Sequence, residues 1–169
     1  RVRRSKVAVV TGSSSGIGAE AAVQLAERGW TVCLLARRAD ELDTVAARVR
    51  EAGGTARTYP VDLTDDADTA RVVEQLLAEH PRIDVLVNNA ARSIRRSIRD
   101  STDRLHDYER TVAINYLGAV RLTLALLPRF LEQDRIDGSR GHVVFSSTMS
   151  SQLPIPLFSA YLGSKAALE

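Results

Sequence analysis

Lysine is almost missing from this chain. Of 23 basic residues only Lys6 and Lys165 carry an ammonium, so any role that needs one has two candidates. Cysteine is down to Cys33, which excludes an internal disulfide framework. Its run, Val32-Cys33-Leu34-Leu35, makes it a small buried hydrophobe rather than a nucleophile. The three histidines, His80, His106 and His142, stand far apart and form no metal-ligand pattern. A net charge of +2 is too small to argue for nucleic acid or for a polybasic membrane anchor. No apolar run approaches bilayer-spanning length. Arg1 to Lys6 is basic, but only four apolar residues follow before Thr11, which does not make a signal peptide. These absences predict a cytoplasmic protein with no metal, no membrane span and no nucleic-acid partner.

What is present is an alternation. A length of 169 residues with 44% hydrophobic and 26% charged suits one domain with a real core. Val7 to Val10 reads as a buried strand and runs into Thr11-Gly12-Ser13-Ser14-Ser15-Gly16-Ile17-Gly18. Ile17, Ala21 and Leu25 then recur at helical spacing, with Ala22 and Ala26 beside them. Such a turn suits an anion: glycines admit a phosphate to the backbone, and free N–H groups at the helix start face it. A tight structural turn would look the same, so the rest of the chain must decide.

Val32 to Leu35 reads as a second strand, followed by a helix with Leu42, Val45, Ala46 and Val49 on one face. A third strand is expected over Ala56 to Val61. Thr64 and Asp65 suit the start of a helix that carries Val73, Leu76 and Leu77. Ile83 to Val87 gives a fourth strand. A long helix is predicted from Asp103 to Leu131, with Ala113, Leu117, Val120, Leu124, Leu127 and Leu131 along one face. Val143 to Phe145 gives a fifth strand. A loop with Pro154 and Pro156 then leads to a helix near Ser159. Alternating β and α with continuous apolar strands predicts a doubly wound parallel α/β sheet of the Rossmann type. Ligands of such sheets sit at the carboxyl ends of the strands, near the switch point of strand order. The polar groups fall there: Thr11-Gly12, Arg37-Arg38, Asp62, Asn88-Asn89-Ala90 and Ser146-Ser147-Thr148.

Tyr161 and Lys165 are four apart, which places them on one helix face. A phenol ordinarily has a pKa of about 10, and a nearby ammonium favours the phenolate, so such a pair can serve as general acid or base. Alone, the spacing is common and is explained equally well by a packed tyrosine and a surface lysine.

Taken in order, the glycine turn, Asn88-Asn89-Ala90, Asn115, the Ser/Thr cluster and Tyr161-x-x-x-Lys165 resemble the short-chain dehydrogenase/reductase family over essentially the whole chain. The resemblance implies hydride transfer between a nicotinamide and a carbonyl or alcohol. It implies that Gly12, Ser14, Ser15, Gly16, Ile17 and Gly18 hold the pyrophosphate and adjacent ribose, that Asp62 and Leu63 border the adenine, and that Asn88 and Ala90 line the ribose side. It assigns Tyr161 as the acid or base, Lys165 to the nicotinamide ribose and to the support of Tyr161, and Asn115 to a water in the proton relay. The family's serine that hydrogen-bonds the carbonyl is Ser147 by motif or Thr148 by spacing, and both remain open. The family's Asn-Asn-Ala-Gly ends here in Ala91, which crowds the turn without removing a catalytic group.

The end of the second strand carries Arg37 and Arg38 rather than an acid. Arginine clamps a 2′-phosphate, so NADP(H) is expected over NAD(H), although Ser15 stands where many NADP(H)-dependent relatives carry a second basic residue. Arg92-Ser93-Ile94-Arg95-Arg96 with Arg99 is either a solvated basic face or the seat of an anionic substrate such as an acyl-CoA. The stretch from Ala91 to Tyr116 is similar to the reductase domain of actinobacterial fatty acyl-CoA reductases. Family members continue beyond Lys165 with further strands and the substrate loop, so this chain reads as one dinucleotide-binding domain lacking its C-terminal part. It leaves room for an upstream domain, and the family pattern implies a homodimer or homotetramer. A nucleotide-binding module or redox sensor without turnover is the alternative function.

Overall fold

The computed structural model describes residues 4–149 and 155–169. Pro154, expected in the last loop, lies outside them. The strands are β1 (Val7–Thr11), β2 (Thr31–Ala36), β3 (Thr55–Pro60), β4 (Val85–Asn88) and β5 (His142–Phe145). The helices are α1 (Gly16–Ala26), α2 (Ala39–Glu51), α3 (Asp66–Glu79), α4 (Leu105–Val112), α5 (Ala119–Glu132) and α6 (Ser159–Ala166). A π-helical turn, Ala113–Gly118, joins α4 to α5 without a break. Every strand pair is parallel and the order is β3-β2-β1-β4-β5, so the order reverses between β1 and β4.

Alternation along the strands divides the core between the two faces of the sheet. Ala8, Val10, Val32 and Leu34 pack with α1 and α2 through Ala22, Ala26, Leu42, Val45, Ala46 and Val49. Val7, Val9, Cys33 and Leu35 pack with α3 and α5 through Val72, Leu76, Leu122, Leu126 and Phe130. The expected α2 face is therefore the buried one. Asp65 caps α3, its side chain accepting from the Asp68 N–H.

Two helix faces differ from expectation. In α1 the inward row is Gly18, Ala19, Ala22 and Ala26, while Ile17 is 76% exposed. Small residues let α1 lie close to the sheet, and the larger Ile17 turns outward. In α5 the inward row is Ala119, Leu122, Leu126 and Phe130, not the row through Leu117, Leu124 and Leu131, which are 46%, 60% and 59% exposed. The inward row continues into α4 as Asn115, Thr111 and Asp107, all buried. Because that row begins with polar side chains, the uniformly apolar outward row looked like the core. Leu105–Glu132 is also long and apolar enough to cross a membrane by length and composition, which corrects the expectation that no such segment exists. Here the inward half of it packs on the sheet. Among the described residues β5 pairs only with β4, and all four of its residues are exposed.

At the amino ends of the strands, Asp84 fastens several segments. Its carboxylate accepts from Arg4 (2.7 Å), from the Val7 N–H (2.8 Å) and from Arg82 (2.8 Å). Arg82 also donates to the Asp134 and Arg140 carbonyls. Burial pushes the Asp84 carboxyl up, but these donors outweigh it and hold the group below the usual carboxylate range.

Cys33 is buried beside an internal polar cluster. His80 Nε2 lies 3.3 Å from Cys33 Sγ and 3.0 Å from the Tyr59 hydroxyl, which donates to Glu79 at 2.9 Å. Burial pushes the Cys33 thiol up to about 12, so it is inert near neutrality. Burial likewise pushes His80 below its ordinary 6.5, outweighing the opposing pull of Glu79. A histidine depressed on folding contributes stability that is fully present above its unfolded value and is lost as pH falls from there through its lower folded value. The unfolding midpoint is therefore expected to drop as pH is lowered from about 6.5 toward 5, before the carboxylates titrate. His80→Gln should flatten the curve in that window, and a persisting slope would assign the effect elsewhere.

Candidate active site

A cleft of about 900 Å³ opens across the carboxyl ends of the strands, spanning the switch point. Gly12 follows β1, Arg37 and Arg38 follow β2, Asp62 and Leu63 follow β3, Asn89 and Ala90 follow β4, and Ser146 and Ser147 follow β5; all of them line it. Tyr161 and Lys165 line it from α6.

The floor of one end is the glycine turn. Gly12 has φ +63°, and a Cβ there would lie 2.7 Å from Ala90 Cα. A Cβ on Gly18 would fall against the Gly12 carbonyl and 2.6 Å from Asn89 Nδ2. Both positions thus need glycine for close backbone approach. Ser15 precedes α1 in extended conformation and its side chain makes no capping hydrogen bond. The first turn of α1 holds no acid, and the helix start lies at the cleft through Ser15 and Ile17, an arrangement that suits an anion. Ser14, Ser15 and the exposed Ile17 line the cleft there.

Three residues to which the sequence reading assigned no role lock this turn. The Thr11 hydroxyl accepts from the Asn89 and Ala90 N–H groups, each at 2.9 Å, and donates to Val87 O at 3.3 Å. Asn89 Nδ2 returns to Thr11 O at 3.1 Å. Ser13, fully buried, donates through its backbone N–H to Leu35 O at 3.3 Å and ties the turn to β2. Threonine and serine inside a hydroxyl-rich loop give no signal of this; the doubled asparagine was the only hint.

Asn88 turns away from the cleft. Its Nδ2 donates to Thr123 Oγ1 at 3.0 Å, and its buried Oδ1 has no partner among the described residues. Asn89 and Ala90 take the cleft positions instead. Asp62 accepts from the Thr64 N–H and hydroxyl, an Asx turn that shapes the rim. Leu63 O accepts from Arg121 at 2.6 Å.

The two arginines after β2 are not equivalent. Arg38 pairs with Glu41 at 2.5 Å, whereas Arg37 is exposed and makes no ion pair among the described residues. Of the basic segment, Arg96 is held by Asp107 at 3.0 Å, joined there by Arg104 at 3.4 Å and Arg110 at 3.5 Å from the start and body of α4. Burial pushes Asp107 up, but the arginines outweigh it and keep its carboxyl below the usual range. Part of the basic cluster is therefore structural. Arg92 and Arg110 line the cleft; Arg95 and Arg99 do not.

At the other end, Lys165 is 2% exposed and its Nζ donates to Ser146 O at 2.6 Å. The same Nζ is 6.0 Å from the Tyr161 ring centre. Burial pushes the Lys165 ammonium below its ordinary value. Phe158 meets the Tyr161 ring edge-on at 6.5 Å and limits its swing. Ser147 lines the cleft, with its hydroxyl donating to Glu169 at 3.0 Å. Thr148 is half-buried and lies outside the residues that line the cleft. Asn115 is buried behind the cleft wall: its Oδ1 accepts from the Arg92 N–H at 2.7 Å, and its Nδ2 donates to Arg92 O and Ser164 Oγ, each at 2.9 Å.

A parallel sheet with a glycine turn and a helix start at its switch point defines a doubly wound α/β protein of the Rossmann type. The family model for short chain dehydrogenases matches residues 6–169, and the chain belongs to that family. An uncharacterised oxidoreductase of Mycobacterium tuberculosis is 47% identical, over 98% of this chain and 48% of that protein. A fatty acyl-CoA reductase of Acinetobacter baylyi is 42% identical, over 98% of this chain and 55% of that protein. The chain thus spans about half the length of the curated relatives it matches. Among solved structures, an NAD+-bound xylitol dehydrogenase superposes with TM-score 0.88 at 30% identity, over 99% of this chain and 62% of that one. A metagenomic short-chain oxidoreductase in complex with NADP gives 0.86 at 32%, over 96% and 71%.

Proposed function

We propose that the whole protein is an NADP(H)-dependent oxidoreductase that acts on a carbonyl or alcohol carried by a long acyl substrate or acyl-CoA. The observation that carries this reading is that one cleft joins an anion cradle at the glycine turn to Tyr161 and Lys165. A binding module needs the cradle alone; a phenol beside a buried ammonium supplies acid–base chemistry as well. The cradle fits a dinucleotide: glycine at 12 and 18 lets the turn close against Ala90 and Asn89, and Ser14, Ser15 and Ile17 line the cleft at the start of α1. The nicotinamide, when bound, supplies or accepts the hydride.

In this reading Ser14, Ser15 and the N–H groups of Gly16, Ile17 and Gly18 hold the pyrophosphate, and Asp62, Leu63 and Ala90 border the nucleoside. Lys165 holds the ribose hydroxyls and stabilises negative charge on Tyr161. Tyr161 protonates the oxygen of a reduced carbonyl, or takes the proton from an alcohol. Ser147 or Thr148 donates a hydrogen bond to the same oxygen. Asn115 has no side-chain donor left, so its place in a proton relay would fall to its backbone. Arg92 and Arg110 suit an anionic substrate, and similarity to the Acinetobacter fatty acyl-CoA reductase supports that class. The outward leucines of the π-helical turn and α5, Leu117, Leu124 and Leu131, spaced by seven residues, support a homodimer or homotetramer. The reading includes a cytoplasmic location.

Solved relatives include both NAD+ and NADP complexes, so the phosphate preference rests on Arg37. Titration of the full-length protein, followed by nicotinamide fluorescence, should show tighter binding of NADPH than NADH. Arg37→Asp should lower the ratio by about tenfold or more, the worth of a charged hydrogen bond. An unchanged ratio would reduce Arg37 to a solvated helix start, and failure to bind either nucleotide would remove the cofactor reading. Turnover is tested with decanal and palmitoyl-CoA in the presence of NADPH.

A further inference from the structure

We propose that Ser164, which touches neither the cleft nor a ligand position, is a positioning residue that sets where Tyr161 stands. The inference rests on the acid–base reading of Tyr161. Ser164 is 1% exposed, and its hydroxyl is used twice. It donates to the Tyr161 carbonyl at 2.7 Å and accepts from Asn115 Nδ2 at 2.9 Å. A hydroxyl has one proton, so donation to Tyr161 aims its lone pairs at Asn115. Asn115 is also 1% exposed, and its amide grips the Arg92 backbone at both N–H and C=O.

The result is a continuous chain of hydrogen bonds from the loop after β4, through the π-helical turn, to the backbone of Tyr161. α6 has only eight residues and needs outside anchors to hold its place. At its start α6 is tied to α4 by the Tyr108 and Ser159 hydroxyls, 2.7 Å apart. At its other end Lys165 fastens it to the end of β5 through Ser146 O, and Ser164 fastens it to the β4 side. These last two anchors sit on adjacent residues and pull toward different strands. With the Ser164 anchor gone, the turn that carries Tyr161 is held only at Ser159 and Lys165 among these ties, and the Tyr161 phenol shifts relative to the strand ends. A misplacement of about 1 Å costs on the order of a hundredfold in rate. Because Lys165 and the glycine turn remain in place, cofactor affinity should hardly change.

The test uses the full-length protein with NADPH and decanal, with wild type and Tyr161→Phe alongside. Ser164→Ala should lower kcat about tenfold to a hundredfold while the Kd for NADPH stays within about threefold. Ser164→Thr, which keeps the hydroxyl, should recover most of the rate. A kcat for Ser164→Ala within twofold of wild type would overturn the proposal. So would equal loss in the alanine and threonine variants, or a loss that only tracks the fraction of folded protein seen by circular dichroism. Absence of turnover in wild type is a different result: it removes the oxidoreductase reading and with it the reaction that Ser164 serves.

Discussion

Tyr161→Phe is expected to lower kcat about a thousandfold while NADPH still binds. The ring keeps its contact with Phe158 and its place beside Lys165, and only the hydroxyl is lost. Positioned acids and bases contribute roughly a hundredfold to ten-thousandfold, so the deficit should appear in kcat rather than in cofactor affinity. The measurement is steady-state reduction of decanal beside a fluorescence titration with NADPH. Near-wild-type turnover would take Tyr161 out of the chemistry. A matching loss of NADPH binding would instead mean that the variant has disturbed α6.

Gly18→Ala is expected to remove most cofactor binding. The new methyl would meet the Gly12 carbonyl of the turn itself and the Asn89 amide that locks it. Neither is the free end of a flexible side chain, because Asn89 is tied to Thr11 O. The turn must then open, and crowding of this kind costs about 1–3 kcal/mol. That corresponds to a loss of roughly tenfold to a hundredfold in NADPH affinity. Isothermal titration would read it directly; unchanged affinity would mean that the backbone at Gly12 does not form the phosphate site.

Much of the sheet was legible because parallel strands buried on both faces are written as continuous apolar runs. Val7 to Val10 and Val32 to Leu35 announced themselves in this way. Helix faces were legible where one side was clearly polar, as in α2, where Leu42, Val45, Ala46 and Val49 are buried. They failed where both sides were apolar or where the inward side began with polar groups. In the long helix, Asp107, Thr111 and Asn115 face inward because each finds hydrogen-bond partners there, which no periodicity can report. The site was legible as an ordered set of motifs, and one cleft joins most of its members. Asn88 and Asn89 could not be told apart from sequence, since their opposite directions follow from strand alternation at the end of β4. Ser13, Thr11 and Ser164 were hidden because their work is to hold backbone, and any hydroxyl at those positions reads as solvation.

The fastening around Asp84 has a consequence for how the molecule breathes. It joins the amino ends of β1 and β4 to the segment before β5, at the edge of the sheet opposite the cleft. The amino ends of β1 and β4 are tied by charge to the segment before β5, while the carboxyl ends lead into the loops that line the cleft. Opening motions of these strands therefore have a built-in direction: the cleft rim splays while the tied ends stay fixed, like the pages of a book held at the spine. Amide exchange should follow that gradient, slowest beside Asp84 and fastest at the strand ends above it.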